Sequence, residues 1–180
     1  MFTIICGPSG SGKTTISDIL VQEHGFKKAV TCTTRSPRNG EEDGKDYYFR
    51  TMDEFKKMEK EGRFAETVEY NGNCYGTPFA SIADGAVLVA EPEGLKKMKA
   101  MVRCNGYYVY IDCPEAVRKE RMEKRGDRTE KICERLVLDK EKFKGCKDMC
   151  DVVFESGKMT AAEIAGVISR AVGRWHAERS

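Results

Sequence analysis

The sequence has few of the features that mark membrane, secreted or nucleic-acid-binding proteins. No apolar run approaches the roughly 20 residues of a membrane-spanning helix. The N-terminus lacks the charged start and the long apolar stretch of a secretory signal. The 31 basic and 29 acidic residues leave a net charge of only +2. We therefore expect no membrane and no nucleic acid among its partners.

Metal-binding and disulfide patterns are also scarce. The chain has only two histidines, and none of its eight cysteines forms a C-x-x-C pair. Scattered cysteines of this kind are typical of free thiols in a reducing compartment, so we expect a cytoplasmic protein. A disulfide framework or a zinc site is the alternative interpretation.

A glycine-rich segment near the N-terminus fits the phosphate-binding pattern G-x-x-x-x-G-K-[ST]. The glycines allow successive backbone N–H groups to point at phosphate oxygens, the lysine reaches the terminal phosphates, and the hydroxyl of Thr14 is a ligand for Mg²⁺. The predicted triphosphate-binding residues are Gly7, Pro8, Ser9, Gly10, Ser11, Gly12, Lys13, Thr14 and Thr15. We refer to residues 7–14 as the phosphate loop.

The residues around this loop support the assignment. A short apolar strand, 2–6, precedes it, and apolar residues at helical spacing follow it in a helix that should end near Gly25. Strand, glycine-rich loop and helix form the expected context. A glycine- and serine-rich turn before an ordinary helix is the alternative.

Strands and helices alternate along most of the chain. This order predicts an α/β fold, a phosphate-loop NTPase-type parallel sheet flanked by helices. A hairpin signal, Asn71-Gly72, indicates a small, mostly β insertion before the alternation resumes. The predicted strands are 2–6, 28–32, 47–49, 64–70, 73–77, 86–90, 107–112 and 151–155, and the predicted helices are 13–24, 51–61, 91–102, 114–124, 129–144 and 161–175.

A long polar loop after the second predicted strand carries a second set of candidate residues. Arg35 and Arg38 are three positions apart, and guanidinium groups form planar, bidentate contacts with phosphate. Tyr47 and Tyr75 add hydroxyl donors, and Glu66 could accept two hydrogen bonds from a purine edge with adjacent N–H donors, as in guanine. For either arginine alone, a solvated surface charge is the alternative.

Residues 33–49 read T-T-R-S-P-R-N-G-E-E-D-G-K-D-Y-Y-F. This segment resembles the nucleotide-acceptor signature of the guanylate kinase family, T-T-R-x-P-R-x-G-E-x-x-G-x-D-Y-x-F. The resemblance extends from the first strand to the last helix. It implies transfer of the γ-phosphoryl group of ATP to GMP or dGMP, with Mg²⁺ as cofactor, in purine nucleotide metabolism.

The resemblance also implies roles for individual residues. Arginines matching Arg35 and Arg38, with tyrosines matching Tyr47 and Tyr75, hold the GMP phosphate in the family. The implied guanine-side residues are Glu66, Thr31, Thr77 and Glu91, and the implied catalytic residues are Lys13 with the lid arginines Arg121, Arg125 and Arg135.

The implied organisation is one domain over residues 1–180. Its core comprises 1–32, 86–113 and 145–180, its GMP-binding region is about 33–85, and its helical lid is about 114–144. We expect the GMP-binding region and the lid to close around bound substrates. The sequence leaves the oligomeric state open.

Several positions depart from the family pattern, among them Thr31 and Thr77, where serine is common. The family commonly has D-x-D-x-x-G after the strand that begins at residue 86, where this chain has Val89 and Glu91 in place of the two aspartates. Ser156 stands where an adenine-side asparagine is usual. Two other functions remain open at this point: a related kinase with another phosphorylated acceptor, and an interaction module that has lost catalysis.

Overall fold

The fold is an α/β sheet core with a smaller sheet inserted into it. The computed structural model describes residues 1–37, 40–70, 72–101 and 106–178. The strands are β1 Phe2–Cys6, β2 Lys27–Lys28, β3 Cys32–Thr33, β4 Tyr48–Phe49, β5 Phe64–Tyr70, β6 Asn73–Pro78, β7 Ala86–Val89, β8 Gly106–Asp112 and β9 Val152–Glu155. The helices are α1 Lys13–Glu23, α2 Met52–Lys60, α3 Pro92–Met101, α4 Glu115–Lys124, α5 Thr129–Lys142 and α6 Ala161–Ala177.

The main sheet is parallel, with strand order β2-β7-β1-β8-β9. Successive side chains of β1 point to opposite faces, so Ile4 packs into one apolar cluster with α3 and Ile5 packs into a second with α1 and α6. Both faces are therefore covered, as the alternation of strands and helices predicted. The carboxyl ends of β1, β7 and β8 meet at one edge, where ligands bind in sheets of this kind.

The insertion contains a four-stranded sheet with strand order β4-β3-β6-β5. Strands β5 and β6 pair antiparallel, which confirms the predicted hairpin, although Asn71 of its turn lies outside the described residues. Behind the sheet, the rings of Phe55 and Phe64 stack with centroids 4.6 Å apart. A Cβ at Gly76 would lie 2.9 Å from the Phe64 ring, so a side chain there would displace this pair.

Capping residues in the sequence pattern T-x-x-E fix the starts of two helices. Thr51 accepts a hydrogen bond from the Glu54 backbone N–H, and the Glu54 carboxylate accepts one from the Thr51 N–H, which forms a capping box for α2. Thr160 and Glu163 form the same pair of bonds before α6. Both caps satisfy N–H groups that the first turn of a helix leaves free.

The predicted second strand, residues 28–32, is wrong as a single element. Lys27–Lys28 forms the edge strand β2 of the main sheet, whereas Cys32–Thr33 forms β3 of the inserted sheet. Cys32 therefore pairs with Tyr48 and Gly76 and does not belong to the main sheet, where the sequence analysis had placed it. A short strand-like segment does not by itself show that its two halves pair with different partners.

Candidate functional site

The phosphate loop joins β1 to α1 in a tight turn. Gly7 has φ 152°, and a Cβ there would lie 2.4 Å from the carbonyl oxygen of Ile111 on the adjacent strand β8. Gly12 has φ 97° and occupies the N-cap position of α1. These backbone angles favour glycine, so the pattern seen in the sequence is required by the turn itself. The N-terminus of α1 consequently faces the cleft with its positive dipole end.

Lys13 lies at the start of α1, half-buried against the loop. Its Nζ donates a hydrogen bond to the carbonyl oxygen of Pro8 at 2.9 Å. Burial lowers the pKa of the Lys13 ammonium group, and the nearby Glu91 carboxylate opposes that shift. Burial of a charged ammonium without a carboxylate bonded to it is unfavourable, and an anion bound in the cleft would relieve that cost.

A cleft of about 360 Å³ lies above the loop. Loop residues and arginines of the predicted lid line it together, although the two groups are more than 100 positions apart in the sequence. The lining residues are Ser9, Gly10, Gly12, Lys13, Thr14, Thr15, Arg121, Arg125 and Arg135. The structure thus brings six of the predicted triphosphate-binding residues and all three predicted lid arginines to one cavity.

Arg121 binds the loop itself. Its guanidinium donates to the carbonyl oxygens of Ser11 at 3.3 Å and of Ser156 at 2.9 Å, and to the Ser156 hydroxyl at 3.1 Å. The Ser156 hydroxyl in turn donates to the Ser11 carbonyl oxygen at 2.7 Å. Arg121 therefore joins α4, the phosphate loop and the segment after β9 in one hydrogen-bonded group.

Arg125 and Arg135 share one carboxylate at the rim of the cleft. Arg125 contacts Asp127 through Nε at 3.0 Å and a terminal nitrogen at 2.5 Å, and Arg135 contacts it at 2.9 Å. The hydrogen bond from Arg125 lowers the pKa of the Asp127 carboxyl. Asp127 was not among the residues predicted from the sequence, although its place between two candidate arginines in a short turn was a usable signal.

The acceptor-side candidates gather around Arg35. Its Nη2 contacts both oxygens of the Glu41 carboxylate, at 2.8 and 2.9 Å, and the guanidinium carbon lies 5.5 Å from the ring centroid of Tyr47. The rings of Tyr47 and Tyr75 are 6.3 Å apart in an edge-to-face arrangement. These three candidates are therefore neighbours, whereas Arg38 lies outside the described residues.

Glu66 and Thr77 face each other across the hairpin. The Thr77 hydroxyl donates to Glu66 Oε1 at 2.7 Å. Burial raises the pKa of the Glu66 carboxyl, and the hydrogen bond from Thr77 opposes this. Thr31, half-buried before β3, accepts a backbone hydrogen bond from Tyr48 at 2.8 Å.

The first turn of α3 connects the acceptor side to the phosphate loop. A Cβ at Gly94 would lie 3.5 Å from Glu66 Oε2, so the helix backbone runs directly past this carboxylate. Glu91, one turn earlier, is near enough to Lys13 to influence its pKa. The Glu66 carboxylate therefore lies against the first turn of α3.

Comparisons with known proteins identify the family. The guanylate kinase family model matches residues 2–163. A guanylate kinase of Clostridioides difficile is 35% identical over 179 residues, covering 94% of this chain and 87% of that protein. One from Streptococcus mutans is 32% identical over 194 residues, covering 98% of this chain and 92% of that protein.

The chain belongs to the guanylate kinase family. The crystal structure of a guanylate kinase from Anaplasma phagocytophilum matches the fold with a TM-score of 0.73 at 26% identity, covering 97% of this chain and 85% of that one. The family assignment makes the chain a nucleotide-binding kinase.

Within this guanylate kinase fold, the two family departures after β7 have defined surroundings. Val89 is 37% exposed at the carboxyl end of β7 and pairs in register with Ile5 of β1. The Glu91 carboxylate forms an ion pair with Lys142 of α5 at 2.8 Å. The chain therefore has an apolar side chain where the family commonly has its first aspartate, and the glutamate that replaces the second is paired with α5.

The donor set for a metal ion at the phosphate loop is small. Thr14, exposed on the first turn of α1, offers a hydroxyl to the cleft, which fits one ligand position of Mg²⁺. No group of three or more metal-binding side chains occurs among the described residues. Phosphate oxygens and water would have to supply the other ligands, as is usual for Mg²⁺.

Two further sequence expectations concern the cysteines and the membrane. Seven cysteines are free thiols in the described ranges, while Cys104 lies outside them. No helix in the described part of the chain is long and apolar enough to cross a bilayer.

Proposed function

We propose that this protein transfers the γ-phosphoryl group of ATP to GMP or dGMP and forms ADP and the nucleoside diphosphate. The observation that carries the proposal is the cavity that Lys13, Arg125 and Arg135 line together. The inserted sheet adds an arginine, two neighbouring tyrosines and a half-buried glutamate on the acceptor side. Guanylate kinase relatives over nearly the full chain support the same reaction.

The reaction mainly requires that the two nucleotides be aligned and that their negative charge be stabilised. The attacking group is a phosphate oxygen of GMP, which is largely ionised at neutral pH, so no strong general base is required. Two polyanions must approach each other and a loose transition state must be stabilised. Lys13, the loop N–H groups, Arg125 and Arg135 would supply positive charge to the transferring group. Mg²⁺, held through Thr14 and the phosphates, would add Lewis-acid charge neutralisation when bound.

On the acceptor side, we propose that GMP replaces an internal carboxylate. The Arg35 guanidinium is paired with the Glu41 carboxylate through Nη2, and the GMP phosphate would take the place of that carboxylate. The hydroxyls of Tyr47 and Tyr75 would add donors to that phosphate, and we assign Arg38 the second guanidinium. Alignment of the acceptor with the γ-phosphate would then lower the barrier to transfer, because binding has already removed the translational and rotational freedom of the two reactants.

Guanine recognition is assigned to Glu66, with Thr77, Thr31 and Glu91 beside it. Guanine presents two adjacent N–H donors, and an ionised carboxylate accepts both. Thr77 holds Glu66 Oε1 at 2.7 Å and leaves Oε2 toward the first turn of α3. Adenine lacks this pair of donors, so the carboxylate would discriminate between the two purines.

Glu66→Gln is expected to lower kcat/KM for GMP by about 10- to 100-fold, the effect of losing one good bidentate base contact. The amide has one acceptor and one donor, so one guanine N–H would face an N–H group. The same amide matches the donor and acceptor of adenine, so the ratio of kcat/KM for GMP to kcat/KM for AMP should fall. Steady-state kinetics with both acceptors measure this.

Thr67→Ser serves as the matched control for Glu66→Gln. Thr67 is the next residue of β5, and its hydroxyl donates to Glu59 at 2.7 Å, away from Thr77. In this control, kcat/KM for GMP and for AMP should each stay within about twofold of the wild-type value. An unchanged GMP/AMP ratio in Glu66→Gln would remove Glu66 from guanine recognition.

The proposed reaction itself is tested with a panel of acceptors. We expect ADP release from ATP with GMP and dGMP, at least roughly 10²-fold faster than with AMP, CMP or UMP. Removing Mg²⁺ with EDTA should abolish the activity. Turnover that requires some other phosphorylated acceptor would replace the proposed function with that of a related kinase.

The remaining proposals follow the same assignment. We propose the division into a core, a GMP-binding region about 33–85 and a lid about 114–144, with closure of the last two around substrates to exclude water. A cytoplasmic location and a role in purine nucleotide supply suit the free thiols and the substrates.

A further inference from the structure

A buried ion pair links the two lid helices at their base. Arg118 of α4 and Asp139 of α5 approach to 3.2 Å, and their side chains are only 7% and 8% exposed. Neither residue belongs to the phosphate-loop motif or to the acceptor signature. Their contacts nevertheless lead directly to the phosphate loop.

Both polar groups of the Ser9 backbone bind this pair. The Ser9 N–H donates to Asp139 Oδ2 at 2.8 Å, and a terminal nitrogen of Arg118 donates to the Ser9 carbonyl oxygen at 3.2 Å and to the same Oδ2 at 3.2 Å. A Cβ at Gly10 would lie 2.8 Å from the backbone oxygen of Arg118, so the loop packs on α4 without a gap. The two peptide groups that flank Ser9 are thereby fixed in orientation.

The composition of the pair argues against a purely stabilising role. Burying two charges costs more than burying apolar side chains of similar volume, which would join α4 and α5 at least as well. Arg118 Nε is also buried without a hydrogen-bond partner in the part of the chain that the structure describes. Apolar side chains could not bind the N–H and C=O groups of the loop, and this is what the charged pair adds.

The pair also balances charge beside the loop lysine. Burial has the largest effect on the pKa of Lys13 and lowers it; Glu91, Cys6 and then Asp139 raise that pKa, and Arg118 lowers it. An isolated Asp139 carboxylate next to a triphosphate would repel it, whereas the paired carboxylate can accept the Ser9 N–H with its charge neutralised.

We propose that Arg118 and Asp139 are positioning residues that hold the Ser9 peptide groups in the orientation the phosphate loop needs to bind ATP. The inference rests on the proposed function to the extent that this loop is taken as the ATP site. It assigns the base of the lid helices a role separate from the cleft-lining arginines.

The test replaces the pair by apolar residues, Arg118→Met/Asp139→Leu, and compares it with Asp139→Asn. The double variant should keep or raise the thermal midpoint, while KM for ATP rises about tenfold and KM for GMP stays within about twofold. In Asp139→Asn, the amide oxygen can still accept from Ser9 and from Arg118, so KM for ATP should remain within about threefold of the wild type.

Lys140→Ala provides the matched control. It breaks the exposed 3.1 Å ion pair between Lys140 of α5 and Glu115 of α4, which joins the same two helices without touching the loop. We expect no more than about a twofold change in either KM, because exposed pairs contribute little.

The outcomes separate this inference from the proposed function. A double variant with wild-type KM for ATP would overturn the positioning role and leave the pair as a helix contact. If the double variant fails to fold, Asp139→Asn and Asp139→Leu are compared instead. Similar KM values for ATP in these two variants would overturn the positioning role. A rise in KM for ATP in Asp139→Leu alone would support it. Should the wild type not phosphorylate GMP, calorimetric titration of the same variants with ATP still decides the point.

Discussion

Lys13→Ala is expected to lower kcat for phosphoryl transfer about 10³-fold, because it removes a positive charge from the cleft. Lys13 lines the same cleft as Arg121, Arg125 and Arg135, and no other lysine lines that cleft among the described residues. Its loss removes positive charge from the place where charge moves between the transferring group and the leaving phosphate. Single-turnover measurement of ADP formation at saturating ATP and GMP gives the rate directly.

The same variant should fold normally. Burial lowers the pKa of Lys13, which means that the folded state disfavours the charged form, so removing the ammonium relieves a cost that offsets the lost bond to Pro8. We expect the thermal midpoint to stay within about 2 °C of the wild type. Turnover at the wild-type rate in a folded Lys13→Ala protein would exclude Lys13 from the mechanism.

Arg135→Ala is expected to lower kcat about 10³-fold, as removal of an arginine that stabilises transition-state charge does in phosphotransferases. Arg135 lines the cleft with Lys13 and shares the Asp127 carboxylate with Arg125, so its guanidinium is already held close to the triphosphate position. Arg135→Lys should recover little of the loss, because an ammonium group lacks the planar fork. KM for GMP should change much less than kcat.

Arg128→Ala is the control for the lid arginines. Arg128 occupies the N-cap position of α5 between Asp127 and Thr129, but it is not among the residues that line the cleft. We expect its removal to change kcat less than about threefold. If Arg128→Ala has the larger effect, the transition-state role belongs to Arg128 and the assignment of Arg135 is wrong.

Local sequence signals predicted much of the fold because their physical causes are local. The glycines of the phosphate loop, the capping residues Thr51 and Thr160, and the Asn71-Gly72 turn each constrain a few neighbouring residues. The capping boxes and the hairpin strands are all present in the structure. The segment 28–32 was mispredicted because strand pairing depends on partners distant in sequence, and Lys28 and Cys32 pair in different sheets.

The sequence by itself determined the family, the α/β class and the residue types that bind phosphate, since the motifs that carry them are short and continuous. Only the tertiary structure decided which charges meet. It placed Asp127 between Arg125 and Arg135, turned Arg121 onto the loop carbonyls, and joined Ser9 to Asp139 across 130 positions. Hydrogen bonds between distant segments leave no periodicity or spacing in the sequence, because their geometry exists only once the sheet has brought its loops to one edge.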